Sequence, residues 1–206
     1  MVVLTDFQQD VISELFNIGM GSAAASLSQM VGETVTLSVP SVEYIAQEEA
    51  VQRIQNIVGS QKVTGVKESF KGSFWGDALL IFPESRSREL VRALLKDDEL
   101  PLETITEMEQ EALTEVGNII LNACLGSLAN IFKQNLIYGL PQYTQGDCEE
   151  LLASGTEKKS DEGLLLLHMD FILQQTNLNG YLTLLMNVES VKALSEQIDL
   201  YLEEMA

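Results

Sequence analysis

Residues 10–28 read DVISELFNIGMGSAAASLS and residues 111–129 read EALTEVGNIILNACLGSLA, and the second stretch repeats the pattern of the first 101 positions on. Glu14, Asn17 and Pro40 recur as Glu115, Asn118 and Pro141. Each copy thus spells Glu, two residues, Asn, then 22 residues and a proline. On a helix at about 100° per residue, Asp10, Glu14, Asn17 and Gly21 fall on one strip. Val11, Ile12, Leu15, Phe16, Ile18, Ala23 and Leu27 take the other side. Glu111, Glu115, Asn118 and Asn122 form the matching strip, opposed by Val116, Ile119, Ile120, Ala123 and Leu128. Both stretches predict long helices that bury one face and show solvent a carboxylate and a carboxamide one turn apart.

Working outward, Thr5 with Gln8 predicts a capping box opening the first helix, which runs to about Met30 and stops at Gly32. Residues 35–44 read as a strand, with Pro40 marking an edge or a bulge. A short helix over 46–58 ends at Gly59, two antiparallel strands follow at 61–72 and 74–83, and 85–95 is an amphipathic helix. A polar link at 96–104 then returns the chain to its starting order. Thr106 with Glu109 predicts a second capping box, for a helix to about Lys133. A strand at 135–145, a loop at 146–162, strands at 163–176 and 178–187, and a closing helix at 188–204 complete the chain. The prediction is an α+β fold, one domain over 1–206 built from two repeats, about 1–100 and 101–206. Helix-strand-strand-strand-helix, twice, is expected to pack about a pseudo-twofold axis. The simplest result is a six-stranded antiparallel sheet with the two long helices on one face.

Composition narrows the function. Across 206 residues, 12 Lys+Arg stand against 31 Asp+Glu, a net charge of −19, while 46% of residues are hydrophobic. That is a folding composition, and its field repels phosphate backbones and anionic lipid, arguing against nucleic-acid and membrane-surface binding. The one histidine, His168, supports neither a His triad nor a multi-His metal site. Two cysteines, Cys124 and Cys148, make no disulfide framework and suit a reducing compartment. The opening MVVLTDFQQDVISEL places acid where a secretory leader needs base, and no uninterrupted apolar run approaches the ~20 residues of a membrane span. The expected setting is the cytoplasm.

Glu and Asn on a solvated helix face are ordinary, although Asn is a mediocre helix-interior residue. The strip alone names no activity. Taken with Pro40 and Pro141, however, the two quoted helices resemble the signature helices of the CheC phosphatases, in the family that also holds CheX and FliY. That pattern is Asp or Ser, three residues, Glu, two residues, Asn, 22 residues, Pro. Asp10, Glu14, Asn17 and Pro40 meet it in full; in the second copy Glu111 stands where Asp or Ser is usual. The resemblance covers nearly the whole chain, and two sites without appended segments fit the two-site CheC type.

The resemblance implies a phosphatase of phosphorylated CheY or a related response-regulator receiver. In that reading Asn17 and Asn118 orient the attacking water, Glu14 and Glu115 pair with the receiver's lysine, and Asp10 and Glu111 shape the docking surface. The chain needs no cofactor or metal of its own, because the receiver brings Mg²⁺. A CheD-type deamidase is a further partner implied by resemblance alone. The competing readings are a non-catalytic receiver-binding or scaffold module of the chemotaxis and flagellar switch, and a regulatory subunit for another enzyme. Pro40 and Pro141 read as structural, Cys124 as a small packing residue and His168 as a satisfied core histidine. Trp75 could serve packing or a partner surface.

Overall fold

A computed structural model describes residues 4–58, 62–95, 107–153, 163–173 and 176–205. The elements run, in chain order, α1 (Asp6–Val31), β1 (Val35–Ala46), α2 (Gln47–Val58), β2 (Val63–Lys71), β3 (Trp75–Pro83), α3 (Glu84–Leu95) and α4 (Glu107–Ile131). They continue with β4 (Ile137–Tyr138), β5 (Gln142–Gly146), α5 (Cys148–Ala153), β6 (Gly163–Leu173), β7 (Thr176–Met186) and α6 (Val188–Met205). The helix starting at Thr5 forms as the capping box requires. Gln8 N–H donates to Thr5 Oγ1 at 3.2 Å, and Thr5 N–H donates to Gln8 Oε1 at 3.1 Å. The helix ends at Gly32. Gln8 also reaches across the fold, its Nε2 donating to Ser195 Oγ and Asp199 Oδ1 on α6.

All strands join one antiparallel sheet in the order β1-β6-β7-β3-β2-β4, with β5 also on β2. The sheet has seven strands, not the expected six, because the strand read over 135–145 is two. β4 pairs with Phe70 and Lys71, and β5 pairs with Val63 through Lys67, so both lie along the same edge of β2. Between them stands Pro141, which has no N–H to give the ladder. The first half solves the same problem differently: β1 runs through Pro40 by inserting an extra residue between Ser38 and Ser41, a β-bulge opposite β6. The expected loop at 146–162 also contains a helix, α5. The capping box at Thr106, the helix stop at Gly59 and the link at 96–104 lie outside the described residues.

Helices cover both sheet faces. α1 and α4, with α3 and α6, close the larger core, where Leu15, Phe16, Ile120, Leu121, Leu165 and Leu182 are buried. α2 and α5 cover the other face, burying Ile54, Leu79, Ile81, Leu152 and Leu164. The long helices approach so closely that a Cβ on Gly19 of α1 would lie 2.7 Å from Cys124 Cα of α4. A Cβ on Gly117 would lie 2.4 Å from Val66 Cβ, so glycine also seats α4 on β2. This explains a feature that a count of consecutive apolar residues passes over. Residues 110–131 have the length and mean hydropathy, 1.3, of a membrane span, yet half of that stretch is buried against the core. Ile18, expected on the buried side of α1, is 49% exposed.

Candidate functional site

The two strips form on neighbouring, directly packed helices. Glu14 and Glu115 are exposed, as are Asp10 and Glu111, while Asn17 and Asn118 are half-buried at the strip's edge. The arrangement sets a carboxylate at the surface and, one turn on, a half-buried neutral amide. Neither asparagine lies beneath the sheet.

The two copies differ in what the amide touches. Asn17 is held by the backbone of β1: its Nδ2 donates to Val39 O at 3.0 Å and its Oδ1 accepts from Val39 N–H at 2.8 Å. Ser13 Oγ donates to the same carbonyl at 2.9 Å. The amide thus substitutes for a strand partner at the bulge, where Pro40 interrupts pairing, and Val39 is 1% exposed beneath it. In the second copy no such clamp forms. Asn118 Oδ1 accepts from Asn122 Nδ2 at 2.5 Å, and among the described residues that is its only side-chain hydrogen bond. Leu140, 101 positions after Val39, is 84% exposed in the break between β4 and β5. Thr114, where the first copy has Ser13, turns back to Gln110 O within α4.

Ser13 and Glu68 escaped the sequence reading. Ser13 lies one residue before Glu14, and the fixed spacing from Asn17 to Pro40 was the available sign that helix and bulge touch. Glu68 is 1% exposed on β2, its Oε2 without a hydrogen-bond partner, on the core face beside the edge where β4 gives way to β5. Burial pushes its carboxyl up to about 7. Burial and the nearby Glu68 together raise the Tyr138 hydroxyl. The residue 101 positions on is Met169, fully buried, so the second repeat carries no equivalent charge.

The other singled-out residues divide. Cys124 is fully buried with its thiol pushed up to about 12 by burial, a packing residue between helices. Trp75 is half-buried, its backbone N–H held by Ser190 Oγ at 2.8 Å. His168 is not the satisfied core histidine expected. It is half-buried, its ring lies 5.5 Å from that of Tyr181, and its Nε2 has no hydrogen-bond partner, Asp170 being 3.9 Å away. Directly opposite Ser41 in the ladder, it borders the bulge on the side away from α1.

Comparison with known proteins follows the same residues. The model of the CheC-like family matches residues 7–44, which hold α1, Glu14, Asn17 and the bulge at Pro40. The CheY-P phosphatase CheC of Bacillus subtilis (strain 168) is 23% identical over 193 residues, 91% of each chain. The putative CheY-P phosphatase CheC1 of Halobacterium salinarum is 19% identical over 187 residues, 91% of this chain and 94% of its own. Among solved structures, Thermotoga maritima FliY superposes with a TM-score of 0.79 at 17% identity, covering 97% of this chain and all of that one. The chain is thus similar to the CheC-like family over its first helix and the bulged strand beside it, and to FliY in overall fold.

Proposed function

We propose that this protein hydrolyses the aspartyl phosphate of a phosphorylated CheY-like receiver in the cytoplasm, with its α4 site doing most of the work. An acyl phosphate is already activated, and a receiver holds its own Mg²⁺ and lysine. A partner need only fix a water in line with the P–O bond. The water oxygen attacks phosphorus, the bond to the aspartate oxygen breaks, and the water's protons end on phosphate and solvent. Asn118 suits the orienting role because a neutral amide does not repel the phosphoryl group and offers both donor and acceptor. Glu115, exposed one turn earlier, pairs with the receiver's lysine and sets the docking register. Asp10 and Glu111 border the docking surface. Orientation alone contributes on the order of 10²-fold, about 2.7 kcal/mol.

The observation supporting this reading is the pairing of exposed Glu with half-buried Asn on two packed helices, in a chain whose relatives are named for CheY-P hydrolysis. Its preference for α4 rests on the Asn17 clamp. The clamp takes one N–H and one oxygen lone pair of Asn17 and fixes the plane of the amide, so turning it toward a docked water costs up to two hydrogen bonds at about 1 kcal/mol each. If both are lost, the α1 site slows by up to roughly thirtyfold relative to a freely turning amide.

The same clamp favours a second reading for the first copy alone. An asparagine there has a structural use without any catalysis, so the α1 strip could bind a receiver and not act on it. Dephosphorylation of a purified phosphorylated receiver with Mg²⁺ separates the cases. Asn118→Ala is expected to lose at least about tenfold of the acceleration and Asn17→Ala less than about twofold, with receiver binding retained in both. Unchanged rates in the double variant would end the enzymatic reading and leave the binding module.

A further inference from the structure

On the sheet face away from α1 and α4, a hollow of about 310 Å³ is lined by Ser41, Glu43, Arg53, Asn56, His168 and Tyr181, with Leu166 at its floor. Its volume is at the small end of ligand sites. Its polar groups are oddly idle. Among the described residues, the side chains of Ser41, Asn56 and Tyr181 make no hydrogen bond, and His168 Nε2 is buried with none. Tyr181 is 4% exposed, and its hydroxyl is held protonated by burial, so it stands as a donor. Ser41 and Asn56 are exposed at its rim, whereas His168 Nε2 is buried without a partner, which costs stability and leaves a polar atom for a ligand to satisfy.

The charges around the hollow decide what fits. Its single cation, Arg53, is taken by Glu43 and by Glu49 at 2.7 Å, and Asp170 lies beside His168. An anion meets three carboxylates against one guanidinium. A cation finds both glutamates already engaged by Arg53. An uncharged molecule with several hydroxyl or amide groups meets neither obstacle, and its donors and acceptors satisfy the idle groups while a flat face lies on the His168–Tyr181 ring pair.

The hollow also adjoins the α1 site through one strand. Ser41 and His168 are the first regular pair after the β1 bulge, and the bulge carries Val39, whose backbone Asn17 and Ser13 grip from the opposite face. We propose that this hollow is a binding site for a small uncharged polyol or amide, and that its occupancy shifts the bulge and so the Asn17 clamp. The clamp holds Val39 and the hollow is lined by Ser41, two residues on in the same strand, so no longer pathway is needed.

The inference goes beyond the proposed phosphatase activity, and its test uses no receiver, so failure of one leaves the other standing. Isotope-labelled full-length protein is titrated with glucose, myo-inositol and nicotinamide as neutral probes, and with phosphate and citrate as charged ones. At least one neutral probe is expected to give saturable NMR shifts at Ser41, Arg53 and His168, accompanied by shifts of the Asn17 side-chain amide and the Val39 N–H. Affinity should fall at least about tenfold in Asn56→Ala and in His168→Gln. Asn56 is exposed, so its replacement spares the fold, and retained spectral dispersion checks both variants. The proposal is overturned if no neutral probe gives saturable shifts, if an anion binds as well, or if both variants bind unchanged. Pocket shifts with Asn17 and Val39 unmoved overturn the coupling.

Discussion

At the scale of single residues, one amide acquires two different jobs from its surroundings. Asn17 completes the hydrogen bonding of a bulge, so Asn17→Ala leaves the Val39 N–H buried without its partner. That change is expected to cost about 1–3 kcal/mol in urea unfolding, whereas Asn118→Ala should cost less than about 0.5 kcal/mol. Glu68 makes a prediction of opposite sense. Its folded carboxyl is raised to about 7 from 4.5, so the folded state holds a proton that the unfolded state has released. Its contribution is therefore intact below pH 4.5 and is lost as pH rises to about 7, by up to about 3 kcal/mol. Thermal unfolding across that window should show wild type losing stability relative to Glu68→Gln, which cannot ionise. Parallel curves for the two proteins would mean that water reaches the carboxyl.

At the scale of elements, the contact of α1 with α4 positions both strips, and it depends on backbone proximity at Gly19. A methyl group there meets Cys124 Cα at 2.7 Å, while one at Gly21, two residues on and exposed, meets nothing within 4 Å. Gly19→Ala is expected to destabilise by about 1–3 kcal/mol. Gly21→Ala should be neutral or stabilising by up to about 1 kcal/mol, since alanine is the better helix former. Equal effects of the two in calorimetry would show that the helices are not in such close contact. The edge strands carry the other element-level lesson. One proline spacing yields a continuous bulged strand at Pro40 and two short strands at Pro141. The flanking residues differ: buried Val39 anchors the first, while Gly139 and Leu140 leave the second open, with Gly139 N–H on Ser69 O at 2.8 Å.

At the scale of the molecule, the charge of −19 bears on how any partner arrives. Long-range attraction cannot draw an acidic receiver to this surface, so the proposed recognition would rest on short-range contacts such as Glu115 with a lysine. Stopped-flow association is therefore expected to hold steady or quicken as salt is raised, because screening weakens the net repulsion. A steep loss of rate with salt would point to a docking patch of opposite charge. Much of this protein was legible in its sequence: the helical strips, the Thr5 capping box, most of the order of elements and the α+β class follow from local spacing and side-chain chemistry, which act within a few residues. The 101-residue offset located both Glu/Asn pairs, and the family resemblance implied the role proposed for them. Only the tertiary structure decided that Asn17 grips Val39 while Asn118 does not, that Glu68 is buried unpaired and that His168 faces a hollow. Each depends on which strand lies under which helix, a pairing between residues far apart in the chain. Two copies of one local pattern cannot reveal how their neighbours differ.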